Sequence, residues 1–141
     1  MLYRDFAAKA DFPGDQLVNI EALAVADEYA YFFNRGNGGR NVLFKVALAD
    51  LMAYMQGTAR RIERIQLVEA RLPRLAGVEA GFSGADFWPE AASLVYTASV
   101  EDTRDAYNDG KVLGSFVGII ALRDLAAGRT LDLARNGQLL V

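Results

Sequence analysis

Apolar positions along the chain fall in short runs that end at Gly, Asn or Asp and are rich in Val, Ile, Tyr and Phe. Side chains of this kind, bounded by turn formers, favour pleated strands over helices. The pattern predicts strands over residues 19–25, 28–34, 41–48, 61–69, 78–88, 93–101, 113–122 and 130–134. From Asn34 to Asn41 the run Asn-Arg-Gly-Asn-Gly-Gly-Arg-Asn supplies residues that tolerate positive φ, as a hairpin connection requires. A short helix is predicted over 49–55, where Leu51, Met52 and Met55 recur at helical spacing before Gly57. The fold class expected is all-β.

The chain also echoes itself. Ala47-Leu48-Ala49-Asp50-Leu51 returns as Ala121-Leu122-Arg123-Asp124-Leu125, each copy following an apolar strand and preceding a glycine, Gly57 or Gly128. Upstream, Asn19-Ile20-Glu21-Ala22 returns as Gly77-Val78-Glu79-Ala80. One copy covers about residues 17–69 and the other about 77–135, each reading as four successive strands. Tandem four-stranded units describe blades of a β-propeller. A small β-sandwich with a coincidental echo is the alternative. A ring takes about four to eight blades, so a chain with two or so expects completion by oligomerisation or by a missing half. Residues 1–141 therefore read as one partial propeller domain.

Composition narrows the chemistry. There is no cysteine and no histidine, which removes thiolate and imidazole metal sites, disulfides, cysteine nucleophiles and Ser-His-Asp triads. Any metal would be held by oxygen, as calcium or magnesium is. A net charge of -3, from 15 basic and 18 acidic residues, gives no field suited to nucleic acid. Met1-Leu2-Tyr3-Arg4-Asp5-Phe6 lacks a basic region followed by an apolar run, and no stretch has the length of a membrane span. A soluble chain without a signal peptide or membrane partner is expected, and its compartment stays open.

Several segments in order carry a resemblance: Asn19 to Ala24, Phe33-Asn34-Arg35-Gly36, Gly77 to Ala85, Thr97 to Glu101, and Asp109 to Phe116. The chain resembles an uncharacterised bacterial β-propeller family similar to esterase-like phytases and lactonase-type propellers. The resemblance implies that it covers roughly the C-terminal half of a longer propeller, and it implies no particular activity.

Three groups of residues are candidates for chemistry. Glu21 and Glu79 occupy matching places at the starts of predicted innermost strands, where carboxylates from different blades can converge on calcium or magnesium. Another register pairs Glu21 with Asp86, and both registers stay open. The plain alternative is that these acids accept hydrogen bonds from nearby amides or are solvated. The segment 101–111 holds Glu101, Asp102, Asp105 and Asp109 against two bases, but its spacing fails the EF-hand pattern, and a solvated turn explains it as well as a binding loop. Asn34 and Arg35, beside the glycine-rich turn, can take an anionic small molecule, or Arg35 can tie its loop to Glu101 or Asp102. No catalytic set is complete. Trp88, Phe87, Tyr29, Tyr31 and Tyr96 read as packing between blades.

The expected function is a non-catalytic scaffold that binds a ligand or a protein. The alternative is a metal-dependent hydrolase of a phosphoester, ester or lactone, with Glu or Asp moving protons.

Overall fold

The computed structural model describes residues 1–102, 111–126, 128–135 and 137–140. In chain order the elements are α1 (Leu2–Ala10), β1 (Ile20–Ala26), β2 (Tyr29–Asn34), β3 (Asn41–Ala47), α2 (Leu48–Met55), β4 (Ile65–Arg71), β5 (Arg74–Leu75), β6 (Val78–Glu79), β7 (Gly81–Trp88), β8 (Ser93–Asp102), β9 (Lys111–Ala121), β10 (Thr130–Asp132) and β11 (Gln138–Leu140), with 3₁₀ turns at Pro89–Ala91 and Leu122–Asp124. The fold is mostly β. Among the described residues no helix is long and apolar enough to cross a membrane.

Sheet one has the order β1-β2-β3-β4-β10, sheet two the order β11-β9-β8-β7, and β5-β6 form a small separate hairpin. Neither large sheet closes on itself. Inner pairings within each large sheet are antiparallel between sequence neighbours, joined by tight turns at β1–β2 and β7–β8 and through α2 at β3–β4. The segment predicted at 130–134 does form a strand, but not the outer strand of the second copy. As β10 it runs parallel to β4 on the edge of sheet one, and β11 takes the place beside β9. The expectation of four consecutive strands per copy is therefore corrected at the second copy. The predicted strand 78–88 is likewise two strands, β6 and β7, interrupted at Ala80, whose amide donates to the Pro73 carbonyl at 2.9 Å.

Burial explains the sequence patterns. In β2, Ala30 and Phe32 enter one core and Tyr31 and Phe33 the other, so the strand reads as an unbroken apolar run. In β8 only Leu94, Tyr96, Ala98 and Val100 are in a core, and Thr97 between them is exposed. The larger core lies between the sheets, where Tyr31, Phe33 and Leu43 meet Phe82, Leu94 and Tyr96. Phe82 stands edge-on to both Phe33 and Tyr96, with ring centres 5.0 and 5.6 Å apart.

The second core lies under α1, which the strand pattern did not predict. Phe6 is fully buried, stacked on Phe44 at 4.3 Å and tilted against Phe32 at 5.0 Å. Covering that ring contributes about 2–3 kcal/mol. The helix is also tied by polar bonds: the Ile62 amide donates to Asp5 Oδ2 at 3.1 Å, and Arg40 Nη1 donates to the Ala10 carbonyl at 2.8 Å, where helix carbonyls lack partners.

The sequence echo falls at equivalent places in the two sheets. Ala47 (φ -59°, ψ 131°) and Ala121 (φ -65°, ψ 136°) end β3 and β9 with the same backbone shape. The next amide then reaches back to the β1–β2 turn, from Leu48 to the Glu28 carbonyl at 2.7 Å, or to the β7–β8 turn, from Leu122 to the Ala92 carbonyl at 3.1 Å. Beyond that point α2 follows in one copy and a single 3₁₀ turn in the other.

Candidate functional site

Register decides which residues of the two sheets correspond. Both β1 and β7 carry a bulge, between Ile20 and Ala22 in one and between Phe82 and Gly84 in the other. Ala22 faces Phe33 and Gly84 faces Thr97 at the same step of the ladder. Glu21 and Ser83 are thus counterparts, each the extra residue of its bulge. Glu79 is no counterpart of Glu21: it lies on β6, outside the innermost strand of sheet two. Asp86 corresponds to Ala24, so the second proposed register is not the one formed either.

These acids do not converge. Among the described residues no three acidic side chains gather as a metal site would need. Glu21 is exposed. Asp86 is exposed and its Oδ1 accepts the Phe87 amide at 2.8 Å. Glu79 Oε2 accepts from Asn41 Nδ2 at 2.9 Å, and Arg74 stands 3.8 Å from its other oxygen.

Asn34 and Arg35 instead belong to a polar joint between the sheets. Asn34 is fully buried; its Oδ1 accepts the Asn19 amide at 2.6 Å, while the Arg35 amide donates to the Asn19 carbonyl at 2.8 Å. The pair thereby fixes the start of β1. The Arg35 side chain turns toward sheet two, where Nη1 donates to Ser99 Oγ at 3.0 Å and Nη2 to the Ser99 carbonyl at 3.4 Å. Nε donates to Asn37 Oδ1 at 2.9 Å, and Nη2 pairs with Glu101 Oε1 at 3.1 Å. Of the two readings offered for Arg35, the structure carries the tie to Glu101. The aliphatic stem passes over Gly81, where an added Cβ would come within 2.6 Å of Arg35 Cγ, so this approach requires glycine.

Asn41 completes the joint, and sequence reasoning missed it. Its Oδ1 accepts the Gly36 amide at 2.9 Å, and its Nδ2 also donates to the Ala80 carbonyl at 3.0 Å. The signal was present: an amide side chain at the first position of a strand that continues Val-Leu-Phe, just after a glycine turn. Asp102 ends β8 opposite Lys111. Asp105 and Asp109, the other two acids of the 101–111 segment, lie outside the described residues.

A groove of about 740 Å³ opens between segments 13–19 and 36–39. It meets the glycine-rich turn but not the guanidinium of Arg35, and among the described residues Asp15 is the one ionisable residue lining it. Among the described residues an anion finds no cation there.

What distinguishes the two sheets is how their faces are covered. Tyr31 opposite Lys45, and Phe33 opposite Leu43, lie on the face of sheet one that sheet two covers. Their counterparts are Val95 opposite Ile119, and Thr97 opposite Val117. On this face of sheet two Trp88 and Ile119 are 44% and 47% exposed, Thr97 is exposed, and Val95 and Val117 are half-buried. On the other face, Tyr96 is buried with its ring over Gly118, and its hydroxyl has no hydrogen-bond partner among the described residues. Burial pushes that hydroxyl up to about 12; burial, helped by Tyr29 and Asp27, does the same to Tyr31.

Over residues 1–140 the chain matches the model of a family of unknown function, DUF6929. No curated protein and no solved structure gives a significant match.

Proposed function

We propose, from the premise that the chain belongs to the family of unknown function DUF6929, that it is a non-catalytic scaffold of propeller-blade type, binding a partner through the outer face of sheet two. One observation carries this reading: the face formed by Val95, Thr97, Val117 and Ile119 is exposed or half-buried, while its counterpart in sheet one is covered by a whole sheet. A stacked repeat whose terminal face keeps apolar residues has a docking surface of the shape its neighbours use. The joint of Asn34, Arg35 and Asn41 supports a rigid platform, since its side chains bond to the protein itself.

The hydrolase alternative draws no support from the acids, which are separate or engaged by neighbouring amide and guanidinium groups. The discriminating experiment is calorimetric titration of the chain with calcium and with magnesium. The scaffold reading expects no binding heat. Saturable heat that disappears in Glu21→Gln or Glu79→Gln would overturn it in favour of a metal-dependent enzyme.

A further inference from the structure

We infer that the outer edge of β4, at residues 65–68, takes an extended acidic peptide as an added strand, with Lys9 and Arg129 holding its carboxylates. This site is on sheet one, and the inference stands apart from the reading of the outer face of sheet two.

The backbone of this edge is bare. β10 pairs with β4 only at Glu69, Ala70 and Arg71, so residues 65–68 have β3 on one side and, among the described residues, no strand on the other. The Arg71 carbonyl accepts the Leu133 amide at 2.9 Å, which points the backbone groups of Arg71 away from β3. Backbone groups alternate in direction along a strand, so those of Leu67 and Ile65 point the same way, to an edge with no strand to take them. Such an edge is normally guarded by charge, proline or a bulge. Glu69 and Arg71 guard the half that β10 already covers, and the long strands at the other edges, β1 and β7, each carry a bulge. Residues 65–68 read Ile-Gln-Leu-Val, uncharged and regularly paired with β3.

Charge says what the edge accepts. A cavity of about 390 Å³ opens beside it, lined by Ile65, Gln66 and Leu67 together with Lys9 of α1 and Arg129. Lys9 and Arg129 are exposed, and neither side chain forms a hydrogen bond or ion pair with another described residue. Glu69, the acid among the described residues that line the cavity, is engaged by Arg40. The unmatched charge is therefore positive, although the whole chain carries -3. A short acidic strand satisfies backbone and charge together: its amides and carbonyls meet those of Ile65 and Leu67, one carboxylate on the α1 side meets Lys9, and another at the turn into β10 meets Arg129. Long polyanions are opposed by the net charge of the chain. The paired stretch, from Ile65 to Leu67, is only about 10 Å long at about 3.3 Å per residue, so the affinity expected is weak.

The test is fluorescence anisotropy of a fluorescein-labelled octapeptide of alternating Glu and Val, titrated with the full chain at low salt, where exposed charges are least screened. Binding should saturate with a Kd of about 0.1–1 mM. A peptide with Lys in place of each Glu should not bind. The Glu peptide with its backbone amides methylated keeps every charge and loses its donors, and should bind about tenfold more weakly or worse. Lys9→Gln and Arg129→Gln should each weaken the Glu peptide about two- to fivefold, as exposed ion pairs do. Both side chains are exposed, so neither variant disturbs the core. Hydrogen exchange should slow at the Ile65 and Leu67 amides when the peptide is added. No saturation by about 2 mM chain, equal binding of the Lys peptide, or affinity unchanged in both variants would overturn the inference. Full affinity of the methylated peptide, or unchanged exchange at Ile65 and Leu67, would reduce the site to a patch of charge and overturn the added strand.

Discussion

Removing the guanidinium of Arg35 is expected to cost far more than removing the carboxylate it faces. Arg35 is 8% exposed, and three of its N–H groups donate to neutral acceptors, two of them at 2.9 and 3.0 Å. Hydrogen bonds from a charged donor contribute about 1.5–3 kcal/mol each, and the acceptors on Ser99 lose their partner as well. The Glu101 side chain is 37% exposed, so its attraction to Arg35 is screened and is worth below about 1 kcal/mol. Arg35→Met keeps the stem over Gly81 and should destabilise the chain by about 3–4 kcal/mol, whereas Glu101→Gln should cost under about 1 kcal/mol. Urea unfolding followed by fluorescence of the single tryptophan, Trp88, measures both. The same assay applies to Gly81→Ala, which collides with the Arg35 stem and should cost about 1–3 kcal/mol. In an Arg35→Ala background that cost should largely disappear. Equal losses for Arg35→Met and Glu101→Gln would show that the ion pair dominates, and an additive Gly81→Ala would show that the stem does not fix the approach of the two sheets.

The unpartnered hydroxyl of Tyr96 makes Tyr96→Phe neutral or stabilising by up to about 1 kcal/mol, read from the same urea curves. Because Tyr31 and Tyr96 are raised to about 12 in the fold from 10, both are neutral in either state below pH 10, and stability there is complete. Between pH 10 and 12 the unfolded chain ionises first, so stability should fall by about 1.4 kcal/mol per pH unit for each tyrosine, and Tyr96→Phe should flatten that limb. Thermal melts across this range decide it; a limb of unchanged slope refutes the assignment. Phe6→Ala should cost about 3–5 kcal/mol and expose the α1 face of sheet one, detected as increased binding of a hydrophobic dye.

Local signals were legible and non-local ones were not. The strands predicted at 19–25, 28–34, 41–48, 93–101 and 113–122 fall close to their observed limits because Val, Ile and aromatic runs stop at Asp27, the 35–40 turn and Ala92, where the backbone reverses, whereas 61–69 starts only at Ile65 and 78–88 is split at Ala80. The segment Thr130–Asp132 has the composition of a strand, but its parallel partner β4 is set by tertiary packing of Leu131 and Leu133, which no local pattern encodes. The helix at Leu2–Ala10 left a trace in Leu2, Phe6 and Ala10 at four-residue spacing, with Arg4, Asp5 and Lys9 between them, the pattern of a helix with one apolar face. At the joint, the reach of Arg35 to Glu101 was one of two stated readings. The equivalence of Glu21 with Glu79 failed because the β5–β6 hairpin precedes β7, so the motif that looks like the start of β1 lies on β6, ahead of Ser83, the true counterpart of Glu21; short-motif matching does not see an inserted hairpin.

The parallel pairing of β10 with β4 also sets a schedule for synthesis. Arg71 on β4 finds Asp132 on β10 61 positions later, so β4 waits for its neighbour while β7, β8 and β9 of sheet two are made. At roughly 5–20 residues per second that wait is about 3–12 s on the ribosome, with one edge of the nascent sheet bare. Glu69 and Arg71 near the end of β4 put charges of both signs on that edge, a disincentive to pairing with a neighbouring nascent chain until the late strand arrives.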